Sequence, residues 1–342
     1  MINTNILKPP LVLQGRNIAE SFPLEMNIIR KRRERKERFK IIVIDPRFTE
    51  SVRMADMWLQ IRPGTDGALL LSWIRTILYE GLYDREFVEN WTNAHLLVRV
   101  DGEKPAILRE CDVIKGGRRD RFVVWDTSRS GVAIWDPEAY QYKPSNTKPA
   151  LEGSYTVALA DGGNAVCKTC WQLLKERVEK CTPEWAESIT WIPADKVVES
   201  ARMYATHRPG VWYWGVSTDQ IGRNGTRVQQ MRVILRALTG NLNVYGGDLE
   251  ANIGPRNPET GELFMRDALL QMDEVLNPEV KKKQLGADRF KLMTWPAFDI
   301  TNPYYLKTYG IRRCMSSHFF LSPAPLAWRA ILTGKPYPVL LT

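Results

Sequence analysis

Residues 39–46 have the sequence FKIIVIDP, a β-branched run closed by Asp45-Pro46. A strand that is apolar on both faces is typical of a parallel sheet covered by helices on each side. Before it lie the basic residues 28–38, predicted to be a helix, and the apolar run 11–14, which ends at Gly15. The order of strand, helix and strand predicts a βαβ unit.

The same alternation continues along the chain. Residues 57–61 predict another short strand, and a turn at residues 63–66 leads into a helix that runs to Gly81 with one apolar face. We expect Thr65 or Asp66 to cap this helix. Residues 211–215 (VWYWG) predict a further strand, followed by a helix over 228–238. The fold class predicted from these elements is α/β.

Residues 101–149 differ from the rest, with Gly116-Gly117 and the short apolar stretches FVVW and VAIW. This texture predicts β-hairpins and a connector, with a domain boundary near residue 150. We therefore expect three segments: a first dinucleotide-binding domain at 1–150, part of a second α/β domain at 151–255, and an irregular segment at 256–342 that leads into a truncated domain. Further helices are predicted at 166–181, 193–207 and 266–276, and a strand begins at 338–342.

Composition excludes several classes of protein. The chain has 342 residues, of which 44% are hydrophobic, so it can bury a core and is not mainly disordered. It contains no apolar run of about 18 residues, which excludes a transmembrane segment. The first thirty residues lack the pattern of a secretory signal. We expect a cytoplasmic location, unless an export signal precedes this sequence.

The net charge of +9 suggests an anionic partner: nucleic acid, a membrane surface or a phosphate-bearing cofactor. Much of the excess lies in RKRRERKERFK at residues 30–40, where Glu34 and Glu37 interrupt the bases and Phe39 is the one aromatic residue. Nucleic-acid arms need aromatic or base-reading residues between the charges. This segment is therefore interpreted as a solvated helix face, and no nucleic-acid partner is expected.

The cysteines and histidines do not form a metal motif. Cys167-x-x-Cys170 and Cys181 are predicted to be buried thiols, because an iron–sulfur cluster needs four suitably arranged cysteines and the other two are remote in sequence. An odd total of five cysteines favours a reducing environment. No metal ligand and no catalytic residue is assigned within the chain.

Three loops follow predicted strands, where ligands bind in doubly wound sheets: QGRNIAES at 14–21, DPRFT at 45–49 and GTD at 64–66. In the first, Gly15 permits close approach of a ligand to the backbone, and the Asn17 amide can donate and accept. Asp45 is placed to bind two ribose hydroxyls, and Asp66 could pair with adjacent N–H donors of a guanine. The full G-x-G-x-x-G pattern is absent, so turn glycines and helix caps remain an alternative interpretation.

Two long segments carry a more specific signal. Residues 43–92, VIDPRFTESVRMADMWLQIRPGTDGALLLSWIRTILYEGLYDREFVENWT, closely resemble the interior of molybdopterin oxidoreductases of the dimethyl sulfoxide reductase family. Residues 209–247, PGVWYWGVSTDQIGRNGTRVQQMRVILRALTGNLNVYGG, are similar to the second signature of the same family. The resemblance extends more loosely from about Leu11 to the end of the chain.

This resemblance implies a molybdenum or tungsten ion held by the dithiolenes of two pyranopterin guanine dinucleotides. The family's cofactor-binding positions fall on Gln14, Gly15, Asn17, Ala19, Glu20, Ser21, Asp45, Pro46, Arg47, Thr49, Gly64, Thr65, Asp66, Val216 and Gln220. The family often has Met where Val216 stands. A glycine-rich turn around Gly240 and Gly247 is expected either to shape the pterin pocket or to end a helix.

The resemblance also implies what the chain does. It predicts two Rossmann-like parallel-sheet domains from the centre of a longer enzyme, without the family's N-terminal iron–sulfur domain and its C-terminal barrel domain. A 4Fe-4S cluster is expected only upstream of this sequence. The implied activity is oxygen-atom or electron transfer on a small molecule, with an iron–sulfur subunit as electron-transfer partner, and we expect the isolated chain to be inactive. The alternatives are a non-redox tungsten hydratase of the same family and a cofactor-free scaffold on the same fold.

Overall fold

A computed structural model of the chain describes residues 10–34, 40–215, 218, 224–242, 244, 247 and 248. The strands are β1 (Pro10–Gln14), β2 (Lys40–Ile44), β3 (Met57–Leu59), β4 (Leu97–Arg99), β5 (Ala106–Ile107), β6 (Phe122–Asp126), β7 (Gly131–Asp136), β8 (Gln141–Lys143), β9 (Ser154–Ala158), β10 (Asn164–Thr169) and β11 (Val211–Trp214). The helices are α1 (Ile18–Ser21), α2 (Pro23–Glu34), α3 (Asp66–Tyr79), α4 (Arg85–Trp91), α5 (Glu110–Val113), α6 (Cys170–Val178), α7 (Pro183–Thr190), α8 (Ala194–Thr206) and α9 (Gly225–Thr239).

The described residues contain one parallel sheet, in which the strand order is β11-β1-β2-β3. The central strand β1 pairs with β2 from Pro10↔Lys40 to Gln14↔Ile44, and with β11 from Leu11↔Val211 to Gln14↔Trp214. All four strands run in the same direction, so their carboxyl ends lie along one edge. The predicted α/β class with a parallel sheet is confirmed.

Both faces of this sheet are buried, as the β-branched strands require. Leu13 and Val43 face a cluster that includes Ile18 of α1 and Met26 of α2. The opposite face packs against a larger cluster, to which α3, α6, α7, α8 and α9 all contribute. In that cluster Trp73 of α3 is fully buried. Removal of this much apolar surface from water is the main stabilising term for the sheet.

Residues 97–169 form two antiparallel sheets, β5-β4-β10-β9 and β6-β7-β8. Their shared core includes Leu97, Val123, Ile134 and Val157. The hairpins predicted for residues 101–149 are therefore present, with FVVW on β6 and VAIW on β7.

Two predictions about helices are wrong. The predicted helix over 166–181 is the strand β10 followed by α6, because Thr169 caps a helix that begins at Cys170: its hydroxyl accepts a hydrogen bond from the Gln172 N–H. The apolar positions of a strand and of the next helix happened to fall at helical spacing. At α3, Thr65 occupies the N-cap position, but its hydroxyl donates to the carbonyl of Arg62 at 2.6 Å and does not cap the helix.

All described residues belong to the first of the two units into which the chain divides, residues 1–250 and 251–342. Both β1 and β11 lie in the first unit, whereas the domain boundary expected near residue 150 falls between these two strands in the sequence. That domain boundary and the three expected segments, 1–150, 151–255 and 256–342, stay predictions. The helix predicted at 266–276 and the strand at 338–342 lie outside the described residues. Within the described part of the chain, no helix is both long enough and apolar enough to cross a bilayer.

The loops that follow β1 and β11 are in close contact. The N–H of Gly215 donates to the carbonyl of Gln14 at 2.9 Å, and the N–H of Gly15 donates to the carbonyl of Ile44 at 2.9 Å. A Cβ atom added to Gly215 would lie 1.9 Å from the carbonyl oxygen of Gly15. Because that obstacle is backbone, only glycine fits at position 215.

We expect Gly215→Ala to destabilise the fold by about 3 kcal/mol, since overpacking against backbone lies at the upper end of such costs. Thermal and urea unfolding followed by circular dichroism would measure the change. Gly131→Ala is the matched control, because the nearest atom to a Cβ there is 3.9 Å away. Equal stabilities of the two variants would contradict the tight approach of the two loops.

Candidate functional site at the carboxyl edge of the parallel sheet

The chain leaves β1 toward β2 on one side of the sheet, whereas β11 lies on the other side of β1. This reversal of strand order is a topological switch point, and in open α/β sheets ligands bind beyond the carboxyl ends of the strands at such a point. The three loops predicted from the sequence lie at this edge, after β1, β2 and β3. At the first, Gly15 has a positive φ of 58°, which turns the chain sharply out of β1.

Gln14, the last residue of β1, is fully buried and makes three hydrogen bonds through its side chain. Its Oε1 accepts from the Arg232 Nε at 2.8 Å and from the Trp212 Nε1 at 3.0 Å. Its Nε2 donates to the Asp66 Oδ1 at 2.6 Å. The Arg232 Nη2 also donates to the Thr218 Oγ1 at 2.6 Å. The structure therefore joins Gln14 and Asp66, two predicted site residues, in one buried network.

Asn17 connects the first loop to the second. Its Oδ1 accepts from the Ser51 hydroxyl at 2.8 Å and from the Ser51 N–H at 3.3 Å. The Ser51 Oγ in turn accepts from the N–H of Ala19 at 3.2 Å. Among the described residues, the Asn17 Nδ2 and the nearby loop's Thr49 Oγ1 are buried without a hydrogen-bond partner. Two polar groups on neighbouring loops are thus left for a ligand or for water.

Asp45 follows β2 directly and is 7% exposed. Its Oδ1 accepts from the N–H of Arg47 at 2.9 Å, which folds residues 45–47 into a turn. Its backbone carbonyl accepts from the Trp58 Nε1 at 2.9 Å. These contacts fix the carboxylate at the edge of the sheet.

The remaining predicted residues are placed as follows. Pro46 and Arg47 are exposed at the tip of their loop, as are Glu20 and Ser21 at the end of α1. Gly64 has a positive φ of 79° and precedes α3, which begins at Asp66. The N–H of Ala19 is already bonded to Ser51, so it is engaged within the protein. Val216 and Gln220 lie outside the described residues.

Sequence reasoning missed Ser51, Trp212 and Arg232. A signal for Arg232 was present, because it lies four residues after Val228 and three before Leu235, on the buried face of α9. An arginine within the apolar stripe of a helix is unusual unless it has fixed polar partners. The other two residues carried no local signal, since their partners lie on distant segments.

Three of the described cysteines have raised pKa values. Burial raises the pKa of Cys167 to about 11, and burial also raises the pKa of Cys170 and of Cys181. Cys167 and Cys181 are buried and Cys170 is half-buried, which largely confirms the predicted buried thiols. In the portion of the chain that the structure describes, no three His, Cys, Asp or Glu side chains are grouped as metal ligands.

Residues 10–234 match the family model of the molybdopterin oxidoreductases. Perchlorate reductase subunit alpha of Dechloromonas aromatica (strain RCB) is 35% identical over 244 residues, which cover 64% of this chain and 26% of that protein. Dopamine dehydroxylase of Eggerthella lenta is 28% identical over 87% of this chain and 34% of its own length.

Among solved structures, acetylene hydratase from Pelobacter acetylenicus aligns with a TM-score of 0.52 and 25% identity. The alignment covers 96% of this chain and 34% of that one. The chain thus spans about a quarter to a third of the length of these relatives.

We expect Cys167 to resist alkylation in the folded protein. With a pKa of about 11, roughly one thiol in a thousand is ionised at pH 8, and the thiolate is the reactive form. Iodoacetamide at pH 8, followed by peptide mass spectrometry, should label the partly exposed Cys111 first and Cys167 only in urea. Labelling of Cys167 at the same rate with and without urea would contradict its burial.

Proposed function

Because this chain belongs to the molybdopterin oxidoreductase family, we propose that the carboxyl edge of its parallel sheet binds the guanine dinucleotide arm of a molybdenum or tungsten pterin cofactor. The observation that carries this proposal is the pair of buried, unpartnered polar groups, the Asn17 Nδ2 and the Thr49 Oγ1, among the described residues at the switch point. A buried polar group without a partner is costly, and an anionic or polar ligand removes that cost.

The groups at this edge fit a guanine dinucleotide in their hydrogen-bonding types. The Asn17 amide and the Thr49 hydroxyl would donate hydrogen bonds to phosphate oxygens, and the turn at Gly15, which has no side chain, would let the phosphates approach the backbone closely. Asp45 would accept hydrogen bonds from ribose hydroxyls, as a carboxylate after the second strand commonly does. Asp66 would accept from the two adjacent N–H groups on the guanine edge. Val216 and Gln220 are proposed to contact the cofactor from the loop after β11.

In this proposal the chain binds and orients, and the bound metal and pterin supply the redox or hydration chemistry. The charged partners of the nucleotide come from rigid strand ends and from the first residue of α3, so the arm would be held in one position. The substrate would be a small molecule that reacts at the metal, with the reaction centre completed by other segments of a longer protein. A 4Fe-4S cluster would likewise belong to such a segment.

An oxidoreductase activity of the longer protein is the first candidate. It is supported by the family model and by the similarity to perchlorate reductase subunit alpha. The name of that relative describes one subunit of an assembly, which supports a partner subunit here. We propose that this partner is an iron–sulfur subunit that transfers electrons.

A hydratase activity is the second candidate. It is supported by the structural similarity to acetylene hydratase and by 26% sequence identity with acetylene hydratase of Syntrophotalea acetylenica over 88% of this chain. A hydratase adds water without net electron transfer. Both candidates need the same nucleotide site, because that site holds the cofactor and does not choose the reaction.

We expect Asp66→Asn to weaken binding of GDP to the 342-residue chain by about 2 to 3 kcal/mol, because it replaces charge-assisted hydrogen bonds with an amide that also presents a donor. Isothermal titration calorimetry would measure the loss. Asp161→Asn is the matched control, since Asp161 lies between β9 and β10 and accepts from the N–H of Gly163.

Asp45→Ala should weaken the binding of GDP and of GMP by the same factor, because both nucleotides contain the ribose. A chain that binds no guanine nucleotide, or whose affinity is unchanged by both substitutions, would argue for the cofactor-free scaffold.

A further inference from the structure

The orientation of the Gln14 side chain is determined by its neighbours. A carboxamide has one acceptor end and one donor end. Both the Arg232 Nε, at 2.8 Å, and the Trp212 Nε1, at 3.0 Å, are donors that point at the same Gln14 oxygen. The amide nitrogen must then face the opposite way, toward the Asp66 Oδ1 at 2.6 Å. Rotation of the amide by 180° would place donors against donors.

Four elements meet in this network: β1 supplies Gln14, β11 supplies Trp212, α9 supplies Arg232 and α3 begins at Asp66. Arg232 is fully buried, so its guanidinium has lost its water and depends on fixed polar partners. Its Nη2 also holds the Thr218 Oγ1 at 2.6 Å, in the loop after β11. One side chain therefore fixes groups on two sides of the switch point.

We propose that Arg232 is a positioning residue that sets guanine selectivity, acting through Gln14 on Asp66. This inference rests on the proposed function. With the Gln14 Nε2 bonded to Oδ1, the carboxylate is held in one orientation, and its remaining lone pairs are left for the base. A guanine edge offers two adjacent donors, N1–H and the 2-amino group, which match the two oxygens of a carboxylate. Hypoxanthine offers one donor, and adenine offers a donor beside an acceptor.

A purely structural role for Arg232 predicts a different result. Loss of a structural contact would lower the stability of the fold and would weaken the binding of all nucleotides by a similar factor. Loss of a positioning contact lets the Gln14 amide rotate and the Asp66 carboxylate turn with it. The energy gained from the 2-amino group of guanine is then lost, while the ribose and phosphate contacts persist. The ratio of GDP to IDP affinity separates the two roles.

The experiment measures dissociation constants of GDP, IDP and ADP with the full 342-residue chain by calorimetry. The wild type should prefer GDP over IDP by about tenfold to hundredfold, because one hydrogen bond to a charged group is at stake. Arg232→Met should reduce that preference to less than about threefold, and Arg232→Lys should restore part of it by returning one donor to Gln14.

Arg236→Met is the matched control. Arg236 lies one turn further along α9 and donates from Nε to the Asp248 Oδ2 at 2.6 Å, so this variant also removes a half-buried, hydrogen-bonded cation. It should lower stability while keeping the GDP to IDP ratio of the wild type. A second variant, Gln14→Glu, keeps an acceptor for Arg232 and Trp212 but cannot donate to Asp66, and it should also lose the preference.

If Arg232→Met shows no cooperative unfolding transition, it is not folded, and the GDP to IDP affinity ratio of Gln14→Glu then tests the proposal. An unchanged GDP to IDP ratio in folded Arg232→Met or Gln14→Glu protein would overturn the positioning role while leaving the nucleotide site intact. A wild-type chain that binds none of the three nucleotides would overturn the proposed function and this inference with it.

Discussion

The pairing of β1 with two strands at once is the constraint on which the rest of the structure depends. β1 joins β2, which follows after one helical crossover, and β11, which lies about 200 residues later. Because all these pairings are parallel, the chain must return across the sheet before each strand, which brings helices onto both faces. The same geometry places Gln14 between Ile44 and Trp214, with every strand end at one edge. The switch point and its loops follow from that arrangement.

The residues that complete the core are also those that build the site. Trp73, Tyr204 and Trp212 pack together beneath Gln14, with ring centroids 5.3 to 5.7 Å apart. Burial raises the pKa of Tyr204 to about 12, which keeps this layer neutral. Trp212 belongs to both regions, since its ring packs in the core and its indole N–H donates to Gln14. A rigid aromatic layer therefore supports the buried polar network at the edge of the sheet.

Proteins with different reactions share this part of the fold. The relatives include a reductase and a hydratase, yet each aligns with this chain over only a fraction of its own length. In our proposal the described edge binds a nucleotide arm, which these different reactions would share. The chemistry would then depend on residues near the metal, which explains why one scaffold serves several activities.

The sequence by itself determined the strands of the parallel sheet, the helices α3, α8 and α9, and the three loops at the sheet edge, because β-branched runs, apolar periodicity and turn residues act over a few positions. It failed where a local pattern was ambiguous, as at residues 166–181, where a strand and a helix together imitate one helix. The tertiary structure alone decided which polar groups meet: Arg232 reaches Gln14 across 218 positions of sequence, and Ser51 reaches Asn17 across 34. Such hydrogen bonds exist only after parallel pairing has brought the strand ends together, and no periodicity in the chain encodes the distance between them.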